Sequence, residues 1–515
     1  MAKTQNTTSI GFEDKIWQAA DKLRGNLSAS QYESVVLGII FLKYISDKFE
    51  QKYEELKADE WSDEEDQDEY LAENVFFVPQ DARWSVIANA AHTPEIGIVI
   101  DRAMKAIEDI NPQLKNKNIL PKNYAREELD KGRLGDVVDI FTNVAMHDSG
   151  EDNDLLGRVY EYCIQKFAIM EGKNAGAFYT PSCIVRTIVE ILQPYEGRVY
   201  DPCCGSGGMF VQSAKFIKRH QKDINKISIY GQEFNTDAWK MAQMNLAIRG
   251  LEGNFGPHAA DTYVNDLHPT LKADYIMANP PFNMEWPQEK LTEDPRWQYG
   301  LPPASNANFA WIQHMVYHLS PKGQIGLVLA NGALSSQSGG EGEIRKALIE
   351  DDLVEGVISM PNGLFYNVTI PVTVWIFNRR KLQPGKVLFI DARNMGKMVT
   401  RTVRELTDAT VEQWKDIPED ECDVQTIART FEQFRMGMLQ DQKGFCAIKS
   451  LADIKEQDYI PTPGRYVGIA EDNSDTEPFQ DKMARLTASL SQLFAESREQ
   501  EEEIRKQLGS IGFKI

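Results

Sequence analysis

Arg198-Val199-Tyr200-Asp201-Pro202-Cys203-Cys204-Gly205-Ser206-Gly207-Gly208-Met209-Phe210 is the stretch that decides the fold. A short apolar run ends in an acid, crosses a glycine-rich turn and enters residues of helical spacing. Glycines let a backbone turn sharply and approach a ligand, and the helix that follows presents its N-terminal amides there. Such a turn alone is often only a tight connection, and it does not separate nucleotides from S-adenosylmethionine.

Three further apolar runs lie outward from it: Ile227-Ser228-Ile229-Tyr230, Ala273-Asp274-Tyr275-Ile276-Met277 and Gln324-Ile325-Gly326-Leu327-Val328-Leu329. They alternate with helical stretches over residues 151–400. That alternation predicts an open, mostly parallel sheet covered on both faces, an α/β core. Ligands of such sheets bind beyond the carboxyl ends of the strands, so the residues after each run matter most. Gln232-Glu233 follows the second run, where a dinucleotide-type fold places the acid that accepts ribose hydroxyls.

Asn279-Pro280-Pro281-Phe282 follows the third run. Two prolines can simply stop a strand. A chemical reading accounts for all four residues. An exocyclic amine conjugated with a purine is a poor nucleophile, because its lone pair is delocalised. Acceptors from the Asn279 amide oxygen and the Pro280 carbonyl, held rigid by Pro281, would bind both amine hydrogens. That favours a pyramidal nitrogen able to attack a sulfonium methyl, with stabilisation concentrated where positive charge develops. Phe282 would stack on a base that has left its duplex.

Residues 1–150 read as helical. Ile16, Trp17, Ala20 and Leu23 fall at helical spacing, Ser28-Ala29-Ser30-Gln31-Tyr32 carries an N-cap signal, and 35–49 continues as a mostly buried helix. The acid-rich 54–73 segment reads as a solvated face or loop. After about residue 400 the pattern weakens into helix and loop, including Tyr459-Ile460-Pro461-Thr462-Pro463-Gly464-Arg465-Tyr466. The 479–515 tail is charged and helix-prone, with Leu486, Leu490 and Leu493 in one stripe that Ile504 and Leu508 resume.

With 515 residues, 42% of them hydrophobic and 26% charged, the chain is sized for several globular domains. The longest apolar run, Val35-Val36-Leu37-Gly38-Ile39-Ile40-Phe41-Leu42, is far short of the roughly twenty residues of a membrane span. The N-terminus lacks a signal-peptide core, so a cytoplasmic protein is expected. Cys163, Cys183, Cys203, Cys204, Cys422 and Cys446 form no Cys-x-x-Cys pair and suggest neither a metal site nor a disulfide framework. A net charge of -21 opposes DNA binding over most of the surface, so a DNA substrate implies a partner that supplies the grip.

The chain resembles the modification (M) subunit of type I restriction-modification systems, a group of N6-adenine DNA methyltransferases. The resemblance runs through Lys15-Ile16-Trp17-Gln18-Ala19-Ala20-Asp21-Lys22-Leu23-Arg24, Gly176-Ala177-Phe178-Tyr179-Thr180-Pro181, the glycine loop, Asn279-Pro280-Pro281-Phe282, Asn308-Phe309-Ala310-Trp311 and Leu364-Phe365-Tyr366. Cys203 departs from the small residue that relatives more often carry. The resemblance implies a Rossmann-like S-adenosylmethionine-dependent core over 151–400 and a helical domain over 1–150. It also implies a core extension over 401–470 and a partner-docking helix over 471–515. Asn279, Pro280, Pro281 and Phe282 would be catalytic. Ala177, Phe178, Tyr179, Thr180, Pro181 and Ser182 would line the cofactor pocket, with Ser206, Gly207 and Gly208 near its methionine part and Asp201 also binding the cofactor. Glu233 would hold the ribose and Asp261 the adenine amine.

The implied partners are double-stranded DNA, a specificity (S) subunit, a second M copy and a restriction (R) subunit. No Gly-x-x-x-x-Gly-Lys-Ser/Thr phosphate loop is present, which leaves ATP-driven translocation to another chain. The rival readings are a glutamine amide methyltransferase, which shares the Asn-Pro-Pro element, and a non-catalytic scaffold, which has no use for it.

Overall fold

The computed structural model describes residues 29–115, 117–143, 155–170, 180–365, 371–469 and 479–510, with Trp17, Asp21, Leu23 and Leu27. Residues up to Val467 form one compact unit and Gly468–Ile515 a second.

The first unit begins with helices α1 (Ala29–Ala58), α2 (Gln67–Ala72), α3 (Trp84–Asn89), α4 (Ile96–Ile110), α5 (Lys131–Asn143) and α6 (Leu155–Met170). The apolar run in α1 is buried nearly all round, and Ile45 and Phe49 are buried after it, so α1 is the central helix of this layer. Tyr124 seals it by donating its hydroxyl to the Val35 carbonyl at 2.7 Å. Met244 and Ile248 belong to the same apolar cluster, which joins the helical layer to the next one. The acidic segment is solvated at most positions, with Glu65 bridging to Arg83 at 2.6 Å.

Helix α7 (Ser182–Leu192) leads into the α/β layer. Its order is β1 (Gly197–Asp201), α8 (Gly208–Arg219), β2 (Ile227–Gly231), α9 (Thr236–Ala247), β3 (Gly253–Asn254), β4 (Ala273–Ala278), α10 (Asn308–His318) and β5 (Leu319–Ala330). There follow α11 (Gly332–Ser335), α12 (Glu341–Glu350), β6 (Val354–Ser359), β7 (Val372–Asn378) and β8 (Lys386–Asp391). A hairpin of β9 (Lys397–Met398) and β10 (Arg404–Glu405) precedes α13 (Asp423–Arg435), β11 (Cys446–Ser450) and α14 (Leu451–Lys455).

Nine strands form one sheet in the order β11-β8-β6-β7-β5-β4-β1-β2-β3. β7 runs antiparallel to β5 and β6, and β11 antiparallel to β8; the remaining pairs are parallel. The register sets Asp201 beside Gly231 and pairs Ala278 with Leu327. The residues after β1, β2 and β4 therefore share one rim. Two apolar cores flank the sheet, one with α7, α8 and α13, the other with α10 and α12.

The weak pattern beyond residue 400 thus conceals a ninth sheet strand and a helix whose Phe431 packs against Gly356, where a Cβ would lie 2.5 Å from the ring. Among the described residues no helix is long and apolar enough to cross a membrane. The second unit contains α15 (Phe479–Ser510), on which Leu486, Leu490, Leu493 and Ile504 are all exposed.

Candidate active site

The glycine turn between β1 and α8 has two residues in the left-handed region, Gly205 (φ 52°) and Gly207 (φ 78°). A Cβ on Gly207 would meet Leu246 at 3.1 Å, so this glycine serves packing against α9. A Cβ on Gly208 would meet nothing within 4 Å. The turn is therefore open at Gly208, one residue beyond the more tightly packed Gly207. Asn245 holds the turn from behind by donating to the Ser206 carbonyl at 2.7 Å.

Two buried acids converge on this turn. Glu233 accepts the Gly205 amide at 2.9 Å and the Asn235 amide at 2.8 Å, which welds the glycine loop to the end of β2. A carboxylate has about four lone-pair sites, so acceptor capacity remains for a ligand. The Asp201 carboxylate accepts the Cys203 amide at 3.0 Å. Burial pushes the Asp201 carboxyl up to about 8, the Glu233 charge adding to it against that hydrogen bond, and burial raises Glu233 as well. Asp261 is tied to the same rim through Ala260, whose amide donates to the Glu233 carbonyl at 2.9 Å. One Asp261 oxygen closes its own turn by accepting the Tyr263 amide at 2.8 Å.

On the β4 side, the Asn279 amide nitrogen donates to the Thr180 hydroxyl at 3.0 Å, across 99 residues of sequence. Its carbonyl oxygen is buried and, among the described residues, has no partner. A buried acceptor left unpaired costs roughly 1–3 kcal/mol, and Asn279 is held in that state by the bond on its other end. Pro280 is buried and Pro281 half-buried. Phe282 is half-buried, edge-on to Phe365 with ring centroids 6.4 Å apart. Asn308, at the start of α10, exchanges hydrogen bonds with Asn283 (3.1 and 2.9 Å) and so fixes the exit of the tetrad. Pro181 and Ser182 open α7 next to Thr180; Ala177, Phe178 and Tyr179 lie outside the described residues.

Two features escape a reading by motif. Phe234, next to Glu233, is 74% exposed, an apolar ring standing on the ligand rim. Its only signal in the sequence is its place after the acid. Beneath the rim, the fold also gathers Asp266, His314 and His318, with ligand-type atoms within 4.8 Å of one another. Arg296 Nη1 lies 3.1 Å from His314 Nδ1 and can only donate, so Nδ1 accepts and Nε2 carries the proton toward the Tyr200 hydroxyl at 3.1 Å. Burial holds His314 well below the usual histidine range. Burial opposes ionisation of Asp266, but its bond to His318, the nearby His314 and His318 rings and the His268 amide together outweigh this and hold it at about 2. Arg296 also donates to the carbonyls of Thr262 and Tyr263, which joins the loop after the tetrad to the Asp261 turn.

This geometry has known counterparts. The N-6 DNA methylase family model matches residues 151–475, and the HsdM N-terminal domain model matches 12–141. The type I restriction enzyme HindI methylase subunit of Haemophilus influenzae is 45% identical over 458 residues, covering 85% of this chain and all of that relative. The MjaIX methylase subunit of Methanocaldococcus jannaschii is 36% identical, covering 98% of this chain and 92% of its own. The crystal structure of a type I restriction-modification methyltransferase subunit from Streptococcus thermophilus superposes with a TM-score of 0.73 at 26% identity, covering 90% of this chain and 100% of that one. With the Rossmann-like core and the tetrad at its rim, these matches lead to one conclusion: the chain belongs to the N-6 DNA methylase family, as a type I methylase subunit, and is an adenine-specific DNA methyltransferase.

Proposed function

We propose that the chain methylates the exocyclic N6 of an adenine turned out of double-stranded DNA, with S-adenosylmethionine as donor and a separate specificity subunit choosing the site. The observation that carries this reading is the Asn279 carbonyl oxygen at the end of β4, buried without a partner among the described residues. An acceptor fixed there by Thr180 suits an amine that must give up conjugation. The Pro280 carbonyl takes the second amine hydrogen, and Phe282 stacks on the base. A base paired in a duplex cannot reach this pocket, so it has to leave the stack.

The residues of the glycine turn fit the cofactor. Asp201 and Glu233 are buried acids facing a ligand that carries positive charge, Gly208 leaves room for its close approach, and Phe234 offers a ring to its adenine. When bound, the group supplies a methyl on a sulfonium centre. Asp201, Ser206, Gly207 and Gly208 would hold its methionine part and Glu233 its ribose hydroxyls. Asp261 would meet its adenine amine with the carboxylate oxygen that its turn leaves over, and the 177–182 segment would line the pocket.

The net charge of -21 supports a partner chain that grips the DNA, and by the resemblance two copies of this chain join one specificity subunit, with a restriction subunit added for cleavage. Residues 1–150, 151–400, 401–470 and 471–515 serve as helical domain, catalytic core, core extension and docking helix. The exposed leucines of α15 form the surface for the specificity subunit, since a stripe of this kind is stabilised by a partner that buries it.

Tritiated methyl transfer, measured on DNA and on protein with the specificity subunit co-expressed, tests the central claim. Asn279→Ala will abolish transfer to DNA while calorimetric affinity for S-adenosylmethionine stays within a factor of about two, about 0.4 kcal/mol. Normal turnover by that variant, or wild-type transfer to protein alone, refutes the mechanism.

A further inference from the structure

Within this acidic chain, residues 392–404 hold Arg393, Lys397, Arg401 and Arg404 and no acid. The segment leaves the carboxyl end of β8, which is parallel to β6, and forms the β9–β10 hairpin. Two tethers place it beside the catalytic rim. The Arg404 amide donates to the Gly363 carbonyl at 2.7 Å, and Phe365, two residues on, is the ring that meets Phe282. Glu405 pairs with Arg186 of α7 at 3.5 Å, and α7 starts two residues after Thr180, the partner of Asn279.

The four cations are not equivalent. Arg393 is neutralised by Asp391 at 2.6 Å, and Arg404 donates to the Met395 carbonyl at 2.8 Å. Lys397 and Arg401 are exposed and, among the described residues, have no carboxylate partner; Lys397 lies over the Trp414 ring at 5.9 Å. Between them Met398 is 53% exposed. Two exposed cations without a carboxylate partner, set around an apolar side chain, remain available to attract phosphate on a chain whose net charge otherwise repels it.

Resting on the reading above, we infer that the β9–β10 hairpin is this chain's own DNA-backbone contact, with Lys397 and Arg401 binding phosphates next to the extruded adenine. The specificity subunit then supplies the sequence and this hairpin holds the strand at the pocket. Its cations carry no base information, so they act on every target alike.

The test compares Lys397→Ala/Arg401→Ala with Lys218→Ala/Lys222→Ala. The control removes two exposed lysines at and just past the far end of α8, which runs back from the rim, and so matches the change in charge. Each full-length chain is assembled with the specificity subunit, and binding to a duplex carrying the wild-type target is followed across a salt series. Losing a phosphate contact lowers the slope of log affinity against log salt by about 1, so the hairpin variant will lose about 2 for each copy of the chain that engages the duplex and the control nothing. KM for DNA will rise while turnover at saturating DNA and S-adenosylmethionine affinity stay unchanged. An unchanged slope and KM overturn the inference. So does a hairpin variant that keeps DNA binding by the chain alone and loses only the specificity subunit, which would make the tip a protein-docking surface. A wild-type assembly that binds the duplex with the expected slope but transfers no methyl to it refutes the underlying reading instead.

Discussion

On the proposed placement of the cofactor against Asp201, lowering the pH will weaken S-adenosylmethionine binding, because the ligand then meets an acid that the ligand-free protein keeps protonated. Asp201 is 2% exposed, takes one amide hydrogen bond and is pushed up to about 8 from an ordinary 3.8. A bound cation favours the carboxylate, so binding releases the proton. Below about pH 8 affinity therefore falls about tenfold per pH unit, 1.36 kcal/mol each. Between about pH 9 and about pH 6 the dissociation constant will rise roughly a hundredfold, with Glu233, also raised, adding in the same direction. Isothermal titration in buffers of different ionisation enthalpy measures both the constant and the proton count, which will approach one released near neutral pH. Asp201→Asn keeps the acceptor for the Cys203 amide and removes the titration. Its affinity will be lower at about pH 9 and nearly flat in pH. A wild-type affinity independent of pH, or uptake of a proton on binding, refutes the reasoning.

The same shift has a stability counterpart. A carboxyl raised in the folded state stabilises least above its folded pKa, so ligand-free Asp201→Asn will melt at a higher temperature than wild type at alkaline pH, by thermal denaturation. Gly208→Val will lose cofactor affinity with little change in melting temperature, whereas Gly207→Val will lose stability as well, by about 1–2 kcal/mol for the left-handed backbone alone. Equal stability of the two variants would remove the distinction between the two glycines. Phe282→Ala will raise KM for DNA by the equivalent of roughly 1–3 kcal/mol, the worth of stacking one base, without changing cofactor affinity. Truncation before Phe479 will leave cofactor binding intact and abolish co-elution with the specificity subunit; normal assembly would rule out docking by α15.

Local chemistry carried a large share of what the sequence determined. The helical layer is legible because the 35–42 run of α1 is apolar and buried on every side, and the runs at β1, β2, β4 and β5 because buried strands are recognisably apolar. The Asn279 tetrad and the glycine turn are legible as strand-end segments, because the prolines and glycines that leave β4 and β1 cannot continue a strand. Strand order is different. β11, from Cys446–Ser450, is a short edge strand without marked alternation, and it belongs to the sheet only because β8 offers a free edge. The Thr180 hydroxyl that orients Asn279, the Arg296 bridge beneath the rim, and the Arg404 amide on the Gly363 carbonyl, two residues before the ring that meets Phe282, all join residues far apart in sequence. Those contacts exist only after the sheet has closed its register, because spacing along a chain says what a segment can form and packing alone decides what it touches.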